Sequence, residues 1–431
     1  MSRARIDSLV YFLIGAAVFL ALGWLTPPYP DLSQSDFKAV YYASKALVHH
    51  RDPYLQANLL ELYRSEPGNT SAAQLGASQV VTVCVNLPTG LLLIAPFALL
   101  PWTVAHILWS ILTAALFLFA AYLMWTAGVD RAPRVTGFLM LVLLSGSQLL
   151  LQTGNAAGIV VSLCAIAAWC LLSQRHVTAG VICLGLALAL KPQDAGFIWL
   201  LFLLLPAFRR AALQALAIIA ALAIPAMSWA WRIAPNWIAE LRANLLSTFA
   251  PGQLNSPDNP LTDPAVRGPM NVSLQTITAI YWSHPAIYNA VAYVVLAVLL
   301  LVWLTAAVRS MQNPWLLLAA IVPIAVITGY HRQYDTRLLI LAVPACALLS
   351  RAGCRLGRLA VAFTFAAAIL TSDIVIPDIG NLTLAMRTDH TGHGRTILYS
   401  LIGRPVPWAM LALAAFYAWL LWNPRGTNVV Q

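Results

Sequence analysis

The sequence predicts an all-α polytopic membrane protein of about 12 transmembrane helices, with interfacial amphipathic helices in the loops of one side. Three observations carry this. Of 431 residues, 60% are hydrophobic and only 9% charged, against about 25% charged in an average soluble domain; a soluble core has no use for so much apolar surface. The apolar residues come in helix-length runs separated by short polar joints, not in period-two alternation, which favours helices over a β-barrel. The net charge of +10 is carried by Arg residues gathered in the joints, as in cytoplasmic loops. It is not a nucleic-acid surface, so the expected partners are membrane lipids and no nucleic acid.

The basic N-terminus, Met1-Ser2-Arg3-Ala4-Arg5, leads into an apolar run at 8–26 with no small-residue cleavage site. It reads as a retained first span starting in the cytoplasm, not a signal peptide. Pro27-Pro28-Tyr29-Pro30 stops it. The loop 27–79 is expected to be outside and to hold two interfacial helices. The first sets Phe37, Val40, Tyr41, Leu47 and Val48 on one stripe. The second opens at Asp52-Pro53 as N-cap and first helical residue, with Leu55, Leu59, Leu62 and Tyr63 on one face.

Apolar runs follow at about 80–100, 102–127, 135–152, 155–173, 178–190, 194–208 and 211–231, then at 286–308, 314–330, 337–349, 358–376 and 406–422. The loop between the two groups holds another interfacial candidate, Trp237 to Phe249. Arg209-Arg210, Arg309, the Arg351/Arg355/Arg358 cluster and Arg425 fit the cytoplasm. That leaves loops 232–285, 331–336 and 377–405 outside, together with the Lys191-Pro192 turn. Thirteen runs give the wrong parity for two cytoplasmic ends, so one run does not cross. The candidates are 80–100, broken by Pro88 and Pro96, and 135–152, which ends in Ser145-Gly146-Ser147-Gln148; Arg131 and Arg134, more comfortable inside, point to 80–100. Twelve spans then form one membrane domain, 1–431, with both ends inside. No Gly-rich phosphate loop is present, and none of the six cysteines has metal-ligand spacing. No nucleotide fold, disulfide, metal or cofactor is therefore expected.

With this topology a polar set gathers at the outer ends of spans: Asp36, Gln152, Asn155, Lys191, His331, Arg332, Asp335 and Arg337. Ionisable groups at membrane depth are costly, so a one-sided cluster is a functional hypothesis. Asp36 has two readings. Ser33-x-x-Asp36 matches a capping box, and a partly desolvated carboxylate also gains the basicity to take a proton. Lys191 reads as a snorkelling lysine or as an anion ligand. The stretch from Tyr330 to Arg337 reads as a solvated turn or as a phosphate clamp, with arginine forking oxygens and His331 donating. Gln152 and Asn155 flank Gly154 and are placed to hydrogen-bond sugar hydroxyls or to satisfy a helix break. An outer acid beside outer cations suits sugar transfer from a lipid-linked phosphate: cations stabilise the departing phosphate while the carboxylate deprotonates the incoming hydroxyl, with inversion at the sugar carbon.

Four patches carry a likeness to known proteins. They are Asp36-Phe37 with Tyr41-Tyr42-Ala43 and Asp52-Pro53-Tyr54; Asn86-Leu87-Pro88 leading to Ala95-Pro96-Phe97-Ala98-Leu99-Leu100-Pro101; Gly154-Asn155 with Gly185-Leu186-Ala187-Leu188-Ala189-Leu190-Lys191-Pro192; and the His331 stretch ahead of an apolar span. In this order they resemble the glycosyltransferase C superfamily and, within it, glycosyltransferase family 87, the polyprenyl-phosphate-mannose-dependent mannosyltransferases. The resemblance implies a multi-span helical fold with an outer cavity. It maps the family's catalytic acid to Asp36 and its late-loop histidine to His331. Gly154-Asn155 stands where the family pattern has Gly-Gln, and Asn86-Leu87-Pro88 where an aromatic often precedes the proline.

The expected protein is an inner-membrane inverting glycosyltransferase acting on the outer face. It takes a sugar, mannose first, from a polyprenyl-phosphate donor to a lipid or glycan acceptor. Asp36 is the base; Lys191, His331, Arg332 and Arg337 hold the donor phosphate; Tyr41, Gln152, Asn155 and Asp335 contact substrate. The alternative is a lipid or glycan transporter, for which mid-bilayer charges and internal repeats are expected; the polar set lies at one face and no repeat is visible.

Overall fold

The computed structural model describes residues 2–25, 34–66, 80–250, 253, 255–257, 271–309, 313–329, 331–351, 353, 355–375 and 393–422. Among them the regular structure is helical, with one isolated β-bridge between Asn271 and Arg332 and no strand. The helices are α1 Arg3–Leu25, α2 Ser35–Val48, α3 Gln56–Arg64, α4 Pro88–Ala98, α5 Trp102–Val129, α6 Pro133–Ser145, the single turn α7 Leu149–Gln152, α8 Ala157–Leu172, α9 Val177–Leu190 and α10 Pro192–Leu204. After a 3₁₀ turn come α11 Arg209–Ile233, α12 Trp237–Thr248, α13 Gln275–Tyr281, α14 Pro285–Arg309 and α15 Pro314–Ile327. The 3₁₀ helix Gln333–Ala342 leads into α16 Val343–Arg351, followed by α17 Arg355–Leu370, α18 His393–Gly403 and α19 Pro405–Trp422.

Six segments are long and apolar enough to cross a membrane on length and composition alone: Arg3–Leu25, Trp102–Val129, Pro133–Gln152, Pro206–Ile233, Pro285–Arg309 and Pro405–Trp422. The shorter α8, α9, α10 and α15 run between them. Burial explains their brevity. In α8 and α15 nearly every residue is covered by other helices, so these segments meet protein where the outer helices meet lipid. The 3₁₀–α16 segment and α17 pack in the same bundle. Neighbour contacts fix two relative directions. Ser8 lies against Gly137 and Leu151 against Gly23, so α1 and α6 run parallel; Cys170 against Gly180 makes α8 and α9 antiparallel.

The apolar run at 80–100 resolves as expected into a helix that does not cross. Leu87 extends, Pro88 starts α4, and only eleven residues follow, a length of about 16 Å. Both its ends stay at one end of the bundle. The Thr89 hydroxyl donates to the Ala189 carbonyl at 2.7 Å, and the Leu100 carbonyl accepts from Tyr41 Oη at 2.7 Å.

Four expectations are corrected. Helix α2 is not a surface helix: Phe37 to Ser44, Ala46 and Leu47 are all buried. Phe37 explains why, since its ring stacks on Trp109 at 4.6 Å and Trp102 at 5.6 Å with Phe97 edge-on at 6.3 Å. Helix α3 begins at Gln56, not at Asp52-Pro53. Asp52 instead makes a turn, accepting from the Tyr54 amide at 2.8 Å and, through its carbonyl, from Asn58 Nδ2 at 2.9 Å. The N-cap of α2 is Gln34, with no side-chain cap, and not Ser33, which lies outside the described residues. Finally, the charged joint before 337–349 is not a solvated turn. The helix already starts at Gln333, and every residue of Gln333–Ala342 is buried, Asp335 and Arg337 included.

Candidate active site

The entry to α2 is built around a tight approach of two chain segments. Gln34 adopts a left-handed backbone, φ 55°, which is strained for a non-glycine residue and persists only when its surroundings over-determine it. They do. The Gln34 amide donates to the Gln152 carbonyl at 2.7 Å, and its side chain donates to Ser110 Oγ and to the Leu151 carbonyl. The Asp36 and Phe37 amides then share the Thr153 carbonyl at 3.1 and 3.2 Å. Opposite them Gly154 has φ +63°, and a Cβ there would meet Phe37 Cβ at 2.8 Å, so only glycine fits. Its carbonyl accepts from Trp109 Nε1 at 2.8 Å.

This clasp sets Asp36 beside Asn155. In the turn ahead of α8, Asn155 Oδ1 accepts from the Ala157 amide at 2.9 Å, which orients its amide group; Nδ2 then donates to Asp36 Oδ2 at 2.9 Å. Asp36 is half-buried, and among the described residues its Oδ1 accepts no hydrogen bond. One oxygen is fixed, and the other accepts nothing from the described residues.

A second polar centre lies where α9 turns into α10. Lys191 is extended between the two helices, ahead of Pro192. Its ammonium contacts Asp194 Oδ2 at 3.0 Å and Asp335 Oδ1. The other oxygens of both carboxylates face His331: Nδ1 is 3.1 Å from Asp194 Oδ1 and 3.2 Å from Asp335 Oδ2. The result is a closed ring of alternating charge, Lys191–Asp194–His331–Asp335, with the Arg332 amide adding a bond to Asp335 Oδ2 at 2.9 Å. Only Lys191 reaches the surface: its side chain is 14% exposed, the others 2% or less.

Burial alone would depress the Lys191 and His331 pKa values, but the facing carboxylates outweigh it. Lys191 is raised above its ordinary value, and His331 is pushed up to about 9. The raised Lys191 and His331 values favour an ammonium and an imidazolium facing the two carboxylates, while burial pushes the Asp194 carboxyl up. Among the described residues, Asp194, His331 and Asp335 also form a set whose ligand atoms all lie within 4.8 Å of one another.

The two centres are joined through α4, which packs on α2 and bonds through Thr89 to Ala189, two residues before Lys191. A third link closes the other side. Arg337 donates to Asp373 Oδ1 at 3.0 Å and to the Thr371 carbonyl, and Asp373 Oδ2 accepts from the Leu149 amide at 2.8 Å, at the start of the turn that leads to Asn155. Gly146 permits this approach, since a Cβ there would meet Ser372 Oγ at 2.6 Å.

A model of glycosyltransferase family 87 matches residues 85–328, more than half of the chain. The chain belongs to glycosyltransferase family 87. It is thus a glycosyltransferase, built as an all-α polytopic membrane protein. No curated protein and no solved structure matches. The family match contains Gln152, Asn155, Lys191 and Asp194; Asp36, Tyr41 and the stretch from His331 to Arg337 lie outside it.

The structure brings Lys191, His331 and Asp335 together and sets Asn155 on Asp36. It turns three other expected site residues to the protein. Tyr41 is fully buried, its hydroxyl on Leu100 and its ring edge-on to Trp102 at 5.2 Å. Gln152 donates to the Leu22 carbonyl at 3.0 Å. Arg337 is held by Asp373. Arg332 is half-buried and donates to Asn255 Oδ1. Sequence reasoning missed two acids, Asp194 and Asp373. Asp194 had a signal: a carboxylate that opens an apolar run is costly unless paired, and its partner Lys191 stands three residues earlier.

Proposed function

We propose that this glycosyltransferase moves a sugar, with mannose the first candidate, from a polyprenyl-phosphate donor to a lipid or glycan acceptor at the end of the bundle that carries Asp36. The observation that carries the reading is the Asp36 carboxylate, fixed through one oxygen by Asn155 and open at the other. In this mechanism Asp36 Oδ1 takes the proton of the acceptor hydroxyl. The hydroxyl oxygen attacks the sugar's anomeric carbon from the face opposite the phosphate. The bond from carbon to phosphate oxygen breaks, and the configuration inverts. Phosphate leaves as an anion, so no general acid is required.

The cation assigned to that anion is Lys191, the exposed member of the ring. Its two contacts with Asp194 and Asp335 leave one N–H of the ammonium for substrate. His331 is 2% exposed; its role here is to hold the carboxylates that orient Lys191, and Arg332 is the neighbouring cation nearest the surface. The site end is assigned to the outer, periplasmic side of an inner membrane, because Arg209, Arg210, Arg309, Arg351, Arg355 and Arg358 gather at the opposite ends of the passes.

The test is washed membranes carrying the protein, given radiolabelled polyprenyl-phosphate sugar and no nucleotide sugar. Transfer to an endogenous lipid or glycan is expected. Strict dependence of the purified protein on a nucleotide sugar would overturn the donor assignment.

A further inference from the structure

The ring around Lys191 has the donor set of a metal centre. Two carboxylates and an imidazole converge, and His331 Nδ1 stands 3.1 and 3.2 Å from the nearest oxygen of each acid. Ligand atoms about 2.1 Å from a first-row divalent ion sit about 3.0 to 3.4 Å apart at octahedral or tetrahedral angles, by simple trigonometry on the usual bond lengths. The three residues come from two distant segments, the start of α10 and the start of the 3₁₀ helix, and are held there by their own secondary structure. Asp194 is fully buried, and among the described residues its two oxygens face Lys191 Nζ at 3.0 Å and His331 Nδ1 at 3.1 Å. A carboxylate buried this deeply must be paired with a cation or coordinate one.

We propose that Asp194, His331 and Asp335 form a divalent-cation site whose cation, in this protein, is the Lys191 ammonium, and that removing the ammonium converts the triad into a site for Mn²⁺ or Zn²⁺. Charge and access both support this. With Lys191 present, the two carboxylates are already balanced, and an added divalent ion meets an ammonium at contact distance. Without it, two buried carboxylates face one imidazole, which becomes a neutral ligand once a metal competes for its proton. Lys191 is also the one member of the ring with appreciable exposure, so shortening or neutralising it opens the path by which an ion enters. The carboxylate donors suit Mn²⁺ and the imidazole suits Zn²⁺.

The proposal is read without any enzymatic assay, so it stands or falls separately from the sugar-transfer reading. Full-length protein in detergent is titrated with Mn²⁺, and free ion is followed by electron paramagnetic resonance. Wild type is expected to leave the free-ion signal as buffer does. Lys191→Met is expected to remove one equivalent saturably and to gain thermal stability with Mn²⁺, and Lys191→Met with His331→Ala is expected to lose both effects. Wild type binding one Mn²⁺ as tightly as Lys191→Met overturns the proposal, as does a monodisperse Lys191→Met protein that binds no more than wild type. Should Lys191→Met aggregate on purification, Mn²⁺ in the purification buffers is expected to restore a monodisperse peak, and failure to restore it counts against the site.

Discussion

His331, buried, and Lys191, partly exposed, are cations held by two internal carboxylates, and that arrangement has a pH signature. The His331 pKa is pushed up to about 9 in the folded protein from an ordinary value of 6.5. A group whose folded pKa is raised stabilises the fold fully below its unfolded pKa, and that stabilisation is lost as pH rises through the folded value. The detergent-solubilised protein is therefore expected to hold a constant thermal midpoint up to about pH 6.5 and to lose stability toward pH 9 and above. His331→Gln is expected to flatten the profile across that window; an unchanged slope in the variant would place the titrating group elsewhere. At this scale the sequence was only half legible. Lys191, His331 and Asp335 stood out as charges at helix ends, but their pairing with Asp194 depends on the meeting of α10 with the 3₁₀ helix, which no local pattern records. Arg337 reads as a phosphate ligand until Asp373, from a segment 36 residues on, is found beside it.

Among elements, α2 is the one whose surroundings decide the site. Its apolar stripe was visible as a helical period, and the interfacial placement followed from the polar loop around it. What the pattern could not carry is that Lys38, Tyr42 and Ser44, on the other faces, are buried as well. They are covered because α4 folds back across the bundle end and the first turns of α5 bring Trp102 and Trp109 to Phe37. Phe37 is thus the anchor that carries Asp36 into place. Phe37→Ala is expected to destabilise the protein by about 3–5 kcal/mol, the range for truncating a buried aromatic, and to lower transfer by loosening the Asp36–Asn155 contact. Thermal unfolding in detergent, read beside activity, checks both. A variant with an unshifted midpoint would show that α2 is held by something other than this aromatic stack.

For the whole molecule, composition and run length made the class plain, and the parity argument identified 80–100 as the run that turns back, which α4 does. The lengths of the inner passes were also visible, since α8 to α10 are bounded by Ser173-Gln174-Arg175-His176 and by Lys191-Pro192. The assembly of one site from α2, the α7–α8 turn, the α9–α10 joint and the start of the 3₁₀ helix was not, because it is a property of packing among distant segments. If that assembly transfers sugar by the proposed route, the turnover of the intact protein rests on the open oxygen of Asp36. Asp36→Asn keeps the shape of the side chain, and its amide oxygen still accepts from Asn155 Nδ2, so the clasp that holds α2 survives. The amide has no basicity to take a proton at neutral pH. The most direct measurement is the initial rate of transfer by purified Asp36→Asn, with its thermal midpoint recorded alongside. The account predicts a rate lower by about two to four orders of magnitude at an unchanged midpoint; a rate close to wild type would contradict it.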